Sequence, residues 1–399
     1  MATISNRSKK LTGQPMFDLM KKANNIISPD KEIIHMEIGD TKHSPPNDAI
    51  LDTVASLALG NIGYADSQGL EELRKEISEY ICNTHGFRPQ TDCIIVAPAN
   101  ALISFVMQCC LDKGDGVICP DPGFPTYTAA ANYTETNIQY APLNIKNDYT
   151  LTKDIVNIAK DNTSKLLIIN SPSNPTGTTL SKDTLHDLYK TAKENDMWIL
   201  SDEVYSEIVY DGATHQSVCN IDKCEKRTIL LGSLSKTHCM PGWRMGYVVA
   251  PLLVAMRIAA LVQTLLSCMP IFTQHGAIGA LKDTEFPKEL RNELQEKRDI
   301  VVEALNNMPG IDCPMPGGAF YVFPSIEDTK KDGIDFQNWT LDTLGVVTLS
   351  GSYFGPNSTN NIRISYASCS IDQLYEAMSR LNDGLSGRIK SFDSFRIHL

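Results

Sequence analysis

The sequence has no apolar run of membrane-spanning length, no block of basic residues and no repeated C-x-x-C spacing. Each absence removes a class of function. A transmembrane helix needs about 20 consecutive, mainly apolar residues, so no membrane partner is expected. Lys and Arg number 36 against 47 Asp and Glu, a net charge of −11. No basic-aromatic stretch offsets that balance, which argues against nucleic acid as a partner. The eleven cysteines are scattered and odd in number. They support neither a zinc site nor a disulfide framework, and no metal is expected. Residues 1–10 are polar, with no targeting segment, so a reducing cytoplasm is the expected compartment. Internal repeats and low-complexity linkers are missing too.

What remains is an ordinary globular composition: 399 residues, 42% hydrophobic and 21% charged. That length predicts more than one domain. Short apolar runs at 94–96, 117–119, 166–169, 198–200, 228–231 and 247–249 read as buried strands. Helical patterns at 102–111 and 181–195 fall between them. Buried strands alternating with helices predict an α/β fold, its mainly parallel sheet covered by helices on both faces. From about residue 290 the alternation fails. A charged helix at 287–306, strands at 346–349 and 362–366, and a last helix opened by the capping box Ser370-x-x-Gln373 predict a smaller α+β domain. The expected divisions are 1–45 for an arm and part of the small domain, 46–289 for the large domain, and 290–399 for the small one.

Chemistry concentrates at Gly232-Ser-Leu-Ser-Lys-Thr-His-Cys-Met-Pro-Gly-Trp-Arg-Met-Gly246. Lys236 follows a predicted strand in a neighbourhood with little other charge. Desolvation disfavours an ammonium ion, and a neutral amine is what a Schiff base needs. Ser233 and Ser235 add hydroxyls, and Arg244 adds a planar fork suited to phosphate. Together they suggest an aldehyde cofactor that carries a phosphate. Taken alone, Lys236 also fits a surface loop lysine. Ligands of such sheets bind outside the carboxyl ends of the strands, where Asn174, Asp202 and Lys236 all fall.

The chain then resembles a fold-type I, pyridoxal-phosphate-dependent aminotransferase of class I/II, from about Ile33 to the C-terminus. The resemblance rests on Tyr64-x4-Gly69-x3-Leu73-Arg74, Asp121-Pro-Gly-Phe-Pro-Thr-Tyr127, Asn174-Pro-Thr-Gly177 and Ser201-Asp-Glu-Val-Tyr205. It continues through Ser233-x-Ser-Lys236 with Gly242-x-Arg244-x-Gly246, Pro316-Gly-Gly-Ala-Phe-Tyr321 and Arg363-Ile-Ser-Tyr-Ala367. The order of these motifs is the specific signal.

The resemblance implies roles. Lys236 would hold pyridoxal 5′-phosphate as an aldimine and shuttle the substrate proton through a quinonoid. Asp202 would pair with the pyridine nitrogen, the alternative being a strand-end or capping carboxylate. Asn174 and Tyr205 would donate to the phenolic oxygen, and Phe124 would stack on the ring. Ser233, Ser235, Arg244 and the amides of Ala99, Asn100 and Ala101 would take the phosphate, at a helix N-terminus that favours anions. Tyr64 would reach it from the partner subunit of a homodimer. Arg363 would grip the substrate carboxylate, assisted by Gly39 and Asn174; its alternative is an arginine on a strand edge.

Three stretches depart from the family pattern. Ala99-Asn100-Ala101 lacks the usual glycine and hydroxyls. His238 replaces a common aromatic, as a polar filler or an added acid/base group. Asp40-Thr-Lys-His-Ser-Pro replaces the usual turn after Gly39, near the substrate in relatives. The function implied is transfer of an amino group from an L-amino acid to a 2-oxo acid. The alternative keeps the cofactor and diverts the reaction to elimination, cyclisation or oxidation. A regulator with an aminotransferase-like domain would add an N-terminal DNA-binding module and basic charge; with no room for the one and none of the other, that reading is not expected.

Overall fold

Seven strands make the central sheet: β1 (Ile94–Ala97), β2 (Gly116–Asp121), β3 (Asn137–Pro142), β4 (Ser164–Asn170), β5 (Trp198–Asp202), β6 (Thr228–Ser233) and β7 (Gly246–Val249). The computed structural model describes residues 3–10, 13–27, 32–388 and 396–397. Across the sheet the order is β1-β7-β6-β5-β4-β2-β3. All neighbours are parallel except β7, which runs against both β1 and β6. Every residue of β1, β2, β6 and β7 is buried. Helices therefore cover both faces, as expected where strands read as continuous apolar runs.

Local chemistry sets the helix ends. Helix Glu71–His85 turns Leu73, Ile77 and Ile81 inward and stops at Gly86, whose φ of +79° suits a residue without Cβ. Helix Lys182–Glu194 starts at Ser181, whose hydroxyl accepts the Thr184 amide at 3.2 Å. Helix Ala99–Cys110 buries Leu102, Ile103, Phe105, Val106 and Met107 against the sheet.

The second, smaller core lies around β8 (Tyr321–Val322), β10 (Leu349–Ser350) and β11 (Ile362–Ser365), an antiparallel sheet ordered β8-β11-β10. β9 (Val346–Val347) pairs in parallel with the early segment Ile34–His35. The capping box forms as the sequence predicts: Ser370 accepts from the Gln373 amide at 3.2 Å, and the Gln373 side chain accepts from the Ser370 amide at 3.1 Å. Earlier in the chain, helix Pro15–Asn24 places Met16, Leu19 and Ala23 in the large core instead. Among the described residues no helix is long and apolar enough to cross a membrane.

Candidate active site

The carboxyl ends of β4, β5 and β6 open into a cavity of about 360 Å³. Asn170 ends β4 and organises the loop beyond it. Its side chain donates to the Asp202 carbonyl at 3.0 Å and accepts the Asn174 amide at 2.8 Å. Asp202 ends β5 at the closed end of the cavity. Burial raises its carboxyl to about 6, against the pull of hydrogen bonds from Tyr127 and the Val204 amide. The Tyr127 hydroxyl donates to Asp202 Oδ2 at 2.6 Å, both groups buried.

Lys236 stands one turn beyond β6, and its ammonium donates to the Gly39 carbonyl. Burial pushes it down to about 8; Asp40 opposes that shift, while Arg363 and Arg244 reinforce it. Ser233 caps the short turn that carries the lysine, its hydroxyl accepting the Ser235 amide at 3.1 Å. Arg244 adopts φ of +59°, an uncommon conformation for a side-chain-bearing residue. Its guanidinium donates to Pro241 at the exposed rim. Ala99 and Asn100 head the adjoining helix and line the cavity, where the first amides of a helix lack intrahelical partners. Ala101 lies outside the cavity lining, and its amide donates to Pro98 at 2.9 Å.

Arg363 on β11 closes the opposite wall, only 1% exposed. It lies 4.6 Å from the Tyr321 ring centre and 4.9 Å from that of Phe354. It donates to Asn174 Oδ1 at 3.1 Å and to the Glu37 carbonyl. Tyr205 and Tyr321 join hydroxyls at 2.9 Å. The Tyr321 hydroxyl also presses on Gly39, where a Cβ would lie 1.9 Å from it. Phe124 lines the cavity and meets Tyr127 edge-on, 5.7 Å between ring centres.

A model of the family described as aminotransferase class I and II matches residues 31–381. The chain belongs to that family. It is 34% identical to an aspartate aminotransferase of Pyrococcus horikoshii, over 96% of this chain and 97% of that one. It is 31% identical to an arginine–pyruvate transaminase of Pseudomonas aeruginosa, over 92% and 94%. The crystal structure of an aromatic aminotransferase from Pyrococcus horikoshii superposes with a TM-score of 0.86 at 31% identity, over 94% of this chain and 99% of that one. The protein is thus a transferase that moves amino groups, on the α/β fold with a smaller second domain that its sequence predicts.

Of the site residues read from the sequence, this aminotransferase brings all but two to one cavity. Ala101 is one. Tyr64 is the other, 88% exposed on the outer surface. Tyr127 and Tyr321 stand within the motifs, and the sequence alone assigns them no role. Nor does it assign one to Gln14, Met16 and Phe17, which line the cavity mouth from the N-terminal helix and the residue before it. Gln14 is tied there by a 3.2 Å bond to Thr126. His238 points elsewhere. It is buried beside Thr237, Tyr80 and Phe286, and burial lowers it to about 4.

Proposed function

We propose that this aminotransferase holds pyridoxal 5′-phosphate on Lys236 and passes an amino group from an L-amino acid to a 2-oxo acid. The observation that carries the reading is the match between donor set and cofactor. An amine eased toward neutrality suits the aldehyde. A buried carboxylate suits the ring nitrogen. Arg244, Ser233, Ser235 and the amides of Ala99 and Asn100 at a helix N-terminus suit the phosphate. Asn174 and Tyr205 offer donors for the phenolic oxygen, and Phe124 a face for the ring.

When bound, the cofactor supplies an electron-poor ring that accepts the electron pair left as the substrate Cα–H bond breaks. The chain's residues do the rest. Asp202 keeps a proton on the ring nitrogen. Lys236 Nζ takes the proton from the substrate Cα and returns it at the cofactor's exocyclic carbon. Arg363 holds the substrate carboxylate, with Asn174 and Gly39 beside it. Met16, Phe17 and Ile38 contribute apolar surface to the cavity lining, which favours an amino acid with an apolar side chain.

The working unit we infer is a homodimer, with Tyr64 reaching the partner's phosphate site. The support is an exposed apolar run that leads to it: Leu51, Val54, Leu57, Leu59 and Ile62. All eleven cysteines are unpaired, which supports a reducing, cytoplasmic setting. We take residues 46–289 as the cofactor domain, with 1–45 and 290–399 completing the site. The packing of His238 away from the cavity removes the main support for diverted chemistry.

The test is an absorbance spectrum of the purified protein as single amino acids are added. An apolar amino acid should bleach a borohydride-sensitive visible band, and a 2-oxo acid should restore it. No such band in the wild type, or its persistence in Lys236→Ala, would sink the proposal.

A further inference from the structure

Behind the active site, three side chains far apart in sequence converge on one carboxylate oxygen. Glu203 Oε2 lies 2.9 Å from His85 Nε2 and 2.6 Å from His215 Nε2. The three ligand atoms sit within 4.8 Å of one another. Two of the three are themselves held. Glu203 Oε1 accepts from Ser201 at 2.6 Å and from Ser217 at 2.7 Å, which turns Oε2 toward the rings. His85 Nδ1 lies 2.7 Å from the Thr84 hydroxyl, which fixes the ring plane. An imidazole and a carboxylate oriented by outer hydrogen bonds are how proteins prepare metal ligands.

The cluster is also reachable. Both histidines line a cleft of about 500 Å³ that does not include Lys236. Glu76, Glu79, Glu207 and Asp283 line that cleft and favour cation entry, opposed by Lys282, Lys288 and Arg291 in the same lining.

We propose that His85, Glu203 and His215 form a binding site for a first-row divalent ion of the zinc class. Two imidazoles and one carboxylate suit zinc or cobalt, whereas magnesium and calcium prefer all-oxygen sets. Bonds of about 2.1 Å in tetrahedral geometry separate ligand atoms by about 3.4 Å, so Glu203 swings off both rings by less than about 1 Å, and the two imidazole nitrogens, which lie within 4.8 Å of each other, draw together to bind. The ion displaces the protons that bridge these atoms without it, and the cleft leaves its fourth position open to water. Because Glu203 directly follows Asp202, the site is tied to the floor of the cofactor cavity.

The experiment titrates chelator-treated holoenzyme with cobalt(II) and reads the visible ligand-field band. One equivalent per chain should bind with a tetrahedral band, and zinc should displace it. His85→Gln/His215→Gln should lose the band and bind at least about tenfold more weakly. His215→Gln alone, which keeps the buried His85 contact, should show an intermediate loss; an intact cofactor spectrum confirms that each variant is folded. Three results overturn the assignment: no uptake by the wild type, equal uptake by the double variant, or an intense sulfur-to-cobalt band reporting cysteine ligation.

Discussion

Tyr127 and Asp202 form a buried hydrogen bond of 2.6 Å, with the phenol as donor. The bond stabilises the carboxylate form of Asp202 against burial, which on balance still raises it to about 6. Tyr127→Phe removes the main counterweight, so Asp202 becomes easier to protonate and a poorer partner for a ring N–H. Hydrogen bonds to charged groups contribute about 1.5–3 kcal/mol, which predicts about 10- to 100-fold weaker cofactor binding. Titration of the apoprotein measures this. An unchanged affinity would mean that Tyr127 only fills space.

The Lys236 amine titrates near 8, lowered chiefly by burial. Its neutral form therefore grows as pH rises through 8. The rate at which apoprotein captures pyridoxal phosphate, followed from pH 6.5 to 10, should climb through 8 and level off above about 9. A stopped-flow series over that range gives the profile. A rate still rising steeply toward pH 10 would place the amine in ordinary solvent.

Arg363 lies between two aromatic rings with its fork turned toward Asn174. Lysine retains the charge and loses the paired geometry. Arg363→Lys should lower kcat/KM by about 10- to 150-fold, the loss of one hydrogen bond to a charged group (about 1.5–3 kcal/mol). Amines that lack the carboxylate should react equally with both proteins. Equal losses on both substrates would point to general damage instead.

Gly39 has no room for a side chain, because a Cβ would meet the Tyr321 hydroxyl at 1.9 Å. Gly39→Ala should displace Tyr321 and break its bond to Tyr205. Because Gly39 also accepts the Lys236 ammonium, the variant should lose activity well before it loses stability. Paired kcat and Tm measurements separate the two. A fully active variant would show that this loop yields freely.

His238 makes its contacts away from the cavity, against Tyr80 and Phe286. His238→Phe should leave the pH profile of kcat unchanged while shifting Tm. A lost or displaced limb in that profile would return His238 to the chemistry.

The strand ends that carry Asn170, Asp202 and Ser233 are legible because each follows an unbroken apolar run, 166–169, 198–200 and 229–231, and opens into a loop rich in turn residues. β3 is not. It is an edge strand, buried at Gln139 and Ala141 and open at Asn137, Tyr140 and Pro142, so its polar sequence resembles a loop. Helix Ile271–Lys282 was hidden by Gly276 and Gly279, which read as breakers. In the fold they let the helix backbone approach Ala49 and Asp48 of helix Asn47–Ala58. Tyr127 and Tyr321 lacked a signal of another kind. Their partners lie 75 and 116 residues away in the chain, and no local pattern encodes such pairings.

Since β6 and β7 are antiparallel neighbours, residues 234–245 leave and re-enter the sheet at the same end of the strands. The amine and the rim arginine thus ride on one closed excursion of the backbone, with no crossover to another strand. Such a segment can open and reclose as a unit while the ladders on either side stay intact. Amide exchange in 234–245 should accordingly report cofactor occupancy, and exchange in β6 and β7 should report global unfolding.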